Sequence, residues 1–104
     1  MDIHYKTMSE LRSLNRVSGG NFFSRDTMRF WGSTVYPNVR TGKSHWYFVT
    51  AENQFDSTLP RRYTVRKMNA CGDVGPVGKF QAYGNFGAAL DAATEAASAE
   101  REAK

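Results

Sequence analysis

Between residues 33 and 83 the chain changes period. Side chains alternate along short runs rich in β-branched and aromatic residues, whereas the segments on either side repeat at helical spacing. An alternating run turns successive side chains to opposite faces of a strand, so the chain is expected to build a sheet whose apolar face the last helix can cover. Thr34 to Val39 reads as a short strand that Pro37 confines to a sheet edge or a bulge, because proline has no N–H for a ladder. Thr41-Gly42-Lys43 then turns the chain into His45-Trp46-Tyr47-Phe48-Val49-Thr50, the most strand-like run present. Residues 51–60 are polar, end in Pro60 and read as a loop. Arg62 to Met68 alternates, with Tyr63 and Val65 on one face and Arg62, Thr64 and Arg66 on the other, so one face of the sheet is expected to be basic. Cys71-Gly72-Asp73-Val74-Gly75 reads as a turn into a last strand, Val77 to Tyr83, with Phe80 and Ala82 pointing inward.

The flanking helices carry their own start and stop signals. Thr7-Met8-Ser9-Glu10 fits a capping box, and Gly19-Gly20 ends that helix after about three turns. Ser24 caps a second, short helix through Trp31, with Asp26 near its positive end and Gly32 at its stop. Asn85 opens the last helix, where Phe86, Leu90, Ala93 and Ala97 share one face. At about 17 residues and roughly 25 Å it matches a seven-residue strand and can lie across the sheet. The expected fold class is therefore α+β: an antiparallel three- or four-stranded sheet covered by a C-terminal helix, with one or two short N-terminal helices. Phe80, Leu90, Val65 and Phe48 are expected to share the core between sheet and helix.

A chain of 104 residues is a single domain, 1–104, with residues 1–6 and 99–104 as mobile ends. Its one cysteine, Cys71, excludes an intrachain disulfide and a multi-cysteine zinc site, and fits a reducing cytoplasm. No stretch approaches the roughly 20 apolar residues that cross a bilayer, so no membrane is expected as a partner. The formal charge is +4, unevenly placed. Residues 1–85 carry 12 basic and 6 acidic side chains, whereas residues 86–104 carry 2 and 4. The body attracts polyanions or acidic protein surfaces, and the tail does not.

No enzyme signature survives inspection. His4 and His45 are the imidazoles, without HxxxH or Cys-His spacing for a metal. Cys71 has no sequence-local activating base and reads as a small turn residue that serine can replace. Gly72, Gly75 and Gly78 have no following Lys-Ser/Thr and precede a strand, so they make a turn and not a phosphate loop. Asp26 and Asp56 are isolated acids. The expectation is a non-enzyme with no cofactor, no metal and no small-molecule substrate.

What remains is surface. Arg25 and Arg29 stand one helical turn apart, Arg61, Arg62, Arg66 and Lys67 cluster on one strand, and Arg40 and Lys43 flank the first hairpin turn. These eight residues are the candidate partner-binding patch. The plainer reading is a solvated helix face and sheet edge, since Lys and Arg on edge strands also prevent sheet-to-sheet pairing. Trp31, Trp46, Tyr47 and Tyr63 divide in the same way between core and exposed anchors. Reversing Arg62 and Arg66 to Glu is expected to abolish binding without unfolding the chain, and reversing Glu100 and Glu102 to leave binding unchanged or stronger.

The order helix, antiparallel strands, helix resembles the double-stranded RNA-binding domain in topology. That family grips phosphates with a Lys-Lys-x-Ala-Lys pattern at its last helix, where this chain reads Asn85-Phe86-Gly87-Ala88-Ala89-Leu90-Asp91, so the resemblance brings no RNA function. Residues 22–32, the Tyr47-Phe48-Val49-Thr50 run, Pro60 to Arg66 and Gly78 to Tyr83 together resemble a family of small uncharacterised phage and prophage proteins. That resemblance implies a bacterial cytoplasm and an accessory role, including interference with host defence such as CRISPR. The functional expectation is a host-protein-binding module and inhibitor, with a basic nucleic-acid-binding domain as the alternative.

Overall fold

The computed structural model describes residues 7–52 and 60–102. It shows an α+β arrangement: helices α1 (Met8–Val17) and α2 (Arg25–Trp31), strands β1 (Thr34–Val35), β2 (Arg40–Thr41), β3 (His45–Glu52), β4 (Arg62–Asn69) and β5 (Val74–Pro76), and helix α3 (Phe86–Glu102). All strand pairings are antiparallel. β3 and β4 form the centre, β5 flanks β4, and β1 and β2 lie end to end along the outer side of β3. The sheet thus has five strands, because the run from Thr34 to Val39 is interrupted. Pro37 falls in the gap, and the chain rejoins β3 only at Arg40, opposite Tyr47.

Local chemistry accounts for the helix ends. Thr7 and Glu10 close the reciprocal capping box on α1. Ser24 Oγ accepts the Thr27 N–H at 3.2 Å, and Gly32 ends α2 in the left-handed region at φ 62°. Asn85 Oδ1 accepts the Ala88 N–H at 2.8 Å at the start of α3.

The register of β3 on β4 sorts side chains onto two faces. Val49 opposes Val65 and Ala51 opposes Tyr63, and Tyr47, Val49, Val65 and Tyr63 cluster with Ala89, Ala93 and Ala97 of α3. Phe48 opposes Arg66 and Trp46 opposes Met68 on the other face, where Met8 and Leu11 of α1 pack against them. The expected common core of Phe80, Leu90, Val65 and Phe48 is therefore divided. Val65 and Leu90 belong to the α3 side, but Phe48 lies against α1, and Phe80 sits over the Arg66 guanidinium. Every residue of β3 after His45 is buried, so burial runs unbroken along the strand and its own alternation cannot reveal which side faces α3.

The expected strand from Val77 to Tyr83 is also corrected. Pairing with β4 is made earlier, by Val74 to Pro76 with the Val77 N–H still donating to Val65 O at 2.8 Å, and Tyr83 then bridges back to Tyr63. Gly78 at φ 74° and Gln81 at φ 57° turn the intervening segment out of strand geometry. Its polar groups bond β4 side chains instead: Gln81 N–H donates to Thr64 Oγ1 at 2.8 Å, and Arg62 Nε donates to Gln81 O at 2.8 Å.

Candidate binding surface

The sheet divides the eight candidate cations. Arg40 and Lys67 both register with Tyr47, which places them on the α3 side, while Arg62 and Arg66 point the opposite way. They do not make one patch. Several are also occupied within the fold. Arg40 Nε donates to Thr94 Oγ1 of α3 at 2.9 Å. Arg61 ties α2 to the sheet through Gly32 O at 2.8 Å, Thr34 Oγ1 at 3.0 Å and Ala51 O. Arg62 holds the Gln81 and Ala82 carbonyls.

Arg66 is the clearest departure from a solvated basic face. It is 8% exposed, with its guanidinium 5.2 Å from the Phe22 ring centre and 5.4 Å from that of Phe80. Its Nε donates to Thr50 Oγ1 at 3.2 Å and its Nη2 to Glu52 Oε2 at 3.4 Å. Glu52 is fully buried and also accepts from Thr64 at 2.8 Å and Ser33 at 2.9 Å. Burial lowers the Arg66 pKa, and the neighbouring Glu52 carboxylate opposes that shift. The group is an internal network, and among the described residues no buried side-chain nitrogen or oxygen lacks a hydrogen-bond partner. Strand alternation placed Arg66 correctly opposite Val65, but the Glu52 partner is 14 residues away and becomes visible only through the strand register.

Of the eight candidate cations, Arg25, Arg29, Lys43, Arg62 and Lys67 are exposed, Arg62 while bound to the Gln81 and Ala82 carbonyls. Arg25 and Arg29 lie on α2 next to Phe30, which is 59% exposed. Among the proposed aromatic anchors, Trp46 and Tyr47 are buried and Tyr63 is half-buried against Tyr36 and Phe86, so these serve the core. His4 and Asp56, and the side chain of Trp31, lie outside the description. Among the described residues no group of three or more His, Cys, Asp or Glu could hold a metal ion, and no helix is long and apolar enough to cross a membrane.

A family model matches residues 7–96, from the cap of α1 into the fourth turn of α3. The chain belongs to DUF7447, a family of unknown function. Searches of curated proteins and of solved structures gave no match. DUF7447 membership by itself assigns neither a phage origin nor a relationship to the double-stranded RNA-binding domain.

Just beyond the span matched to DUF7447 lies a feature that the sequence did not reveal. Glu100 Oε1 accepts the backbone N–H groups of Ser44 at 2.6 Å and His45 at 2.9 Å, and Oε2 meets His45 Nδ1 and Tyr47 Oη, both at 2.7 Å. Burial opposes ionisation of this carboxyl, but the bonds from Ser44, Tyr47 and His45 outweigh it and hold the pKa down to about 2. Burial, together with the bond to Glu100 and its charge, raises the Tyr47 phenol to about 12. Arg101 Nη1 donates to Thr41 O alongside. The last turn of α3 is thereby clasped to the β2–β3 hairpin. A lone Glu in an acidic tail carries no sequence signal for this, because its partners lie more than 50 residues upstream.

Proposed function

We propose that this chain is a non-enzymatic binding module that docks a partner protein through α2, with Phe30 as the apolar anchor and Arg25 and Arg29 beside it. The observation that carries the reading is the 59% exposure of Phe30 on a short capped helix that also bears two exposed arginines. An aromatic centre with arginine around it is the composition of an interface hot spot. A partner with an acidic, partly apolar surface fits it. The resemblance of residues 22–32 and of the central strands to small phage and prophage proteins supports a more specific form: an accessory protein of a phage or mobile element that modulates a host protein, such as a component of a nucleic-acid-handling defence system.

Direct nucleic-acid binding is the competing reading, and the commitments of Arg40, Arg61, Arg62 and Arg66 to internal partners weaken it. The test is affinity capture from bacterial lysate with nuclease present, comparing the wild-type chain with the Arg29→Glu, Phe30→Ala double variant. A partner retained by the wild type at raised salt and lost by a variant of unchanged melting temperature supports protein docking. Release of all captured material by nuclease, or equal capture by the double variant, overturns it.

A further inference from the structure

A cavity of about 270 Å³ opens between the C-terminal half of α1 and the segment leading into α2, lined by Arg12, Asn15, Arg16, Gly20, Phe23 and Ser24. We propose that it binds the phosphate group of a small phosphate monoester, clamped by Arg12 and Arg16. This site is independent of the docking reading, which uses the outer surface of α2.

The two arginines stand at i and i+4 on α1, where like charges repel, and no acidic residue lies three or four positions from either. Both are exposed and have no ion pair among the described residues, and the nearby Glu10 is committed to the cap with Thr7. An anion between them removes the repulsion. Two guanidiniums balance the charge of about −1.5 to −2 that a phosphate monoester carries at neutral pH, which a single carboxylate does not.

The walls are set before any ligand arrives. The Arg12 guanidinium rests 5.6 Å from the Phe23 ring centre, and Phe23 is wedged against Phe22 and Phe48 of the core. Asn15 is 3% exposed and donates from Nδ2 to Gly72 O at 2.7 Å, which fixes the floor. Gly20 closes over Asn15 so tightly that a Cβ there would collide with its side chain and carbonyl. The cavity holds more than one phosphate, and Phe23 offers an apolar wall for the group that carries it. The acids nearest in sequence, Glu10 in the first turn of α1 and Asp26 in the first turn of α2, do not line the cavity.

The experiment is an amide chemical-shift titration of the full chain with inorganic phosphate, ribose 5-phosphate, adenosine 5′-monophosphate and succinate at constant ionic strength. Saturable shifts centred on Asn15, Gly20, Phe23 and Ser24 are expected for the three phosphates, with half-saturation at about 1 mM. An Arg12→Gln, Arg16→Gln double variant is expected to weaken binding at least about tenfold while melting as the wild type does, since both side chains are exposed. Equal affinity of all three phosphates assigns recognition to phosphate alone, and tighter binding of the nucleotide assigns a base contact as well. Shifts that fail to saturate, that appear equally around Arg25, Arg29 and Lys43, that survive the double variant, or that succinate reproduces at the same concentration overturn the proposal.

Discussion

The two faces of the central sheet are closed by opposite means. On the α1 side, large side chains fill space: Trp46, Phe48 and Met68 meet Met8 and Leu11, and Phe22 and Phe23 complete the cluster. On the α3 side, three alanines at positions 89, 93 and 97, none more than 1% exposed, bring a helix backbone close to Tyr47, Val49 and Val65. The first face is held by volume and the second by close approach. The α1 face is also asymmetric: only one end is apolar, and the other end holds the Glu52 and Arg66 network. A single sheet can therefore be sensitive to lost volume on one side and to added volume on the other.

The largest expected effect is Phe48→Ala. This fully buried ring touches Phe22 and Phe23, and its removal should cost about 3–5 kcal/mol in denaturant unfolding, with no change in the docking of α3. A loss below about 1 kcal/mol would show that the α1 face is loosely packed. Ala93→Leu tests the other face. Three added carbons under α3 should cost about 1–3 kcal/mol, whereas leucine would be tolerated if the helix sat farther from the sheet.

Glu100→Gln sharpens the comparison, because the clasp holds α3 from its end rather than along its face. The loss is expected at about 1–3 kcal/mol near neutral pH, the scale of hydrogen bonds to a charged group. The folded-state pKa of about 2 is depressed below the ordinary 4.5, so the unfolded chain binds more protons between these values. The contribution is accordingly full above about pH 4.5 and fades as pH falls toward 2, and the wild-type advantage over the variant should shrink across that window. The same variant should lower the Tyr47 phenol midpoint from about 12, read by ultraviolet titration. The smallest effect is expected for Leu90→Ala. That side chain is only half-buried at the margin of the α3 cluster, so about 1 kcal/mol is expected instead of the 2–5 kcal/mol of a fully buried leucine. A larger loss would place the leucine deeper than the alanines imply.

Charge reversal at Arg62 and Arg66 no longer separates binding from folding. A glutamate at position 66 would face Glu52 inside the protein, so its failure to bind would report an unfolded chain. Reversal at Glu100 has the same defect, since it breaks the clasp. Arg29 and Phe30 are exposed, so their replacement is expected to leave the melting temperature unchanged and to separate binding from folding.

The sequence by itself determined the elements whose causes are local. The Thr7 and Glu10 box, the Ser24 and Asn85 caps, the Gly32 stop, the edge-breaking role of Pro37 and the separation of Val65 from Arg66 across β4 each depend on residues within a few positions of one another. Tertiary structure alone decided which face of β3 meets α3, because both faces of that strand are buried and its pattern is the same either way round. It also decided what the charged residues do. A carboxylate or guanidinium is exposed or buried according to partners that may lie 14 or 56 positions away, as Glu52 with Arg66 and Glu100 with Ser44 show. Hydrogen bonds between such groups depend on strand register and helix placement, and neither is encoded in the spacing of neighbouring residues.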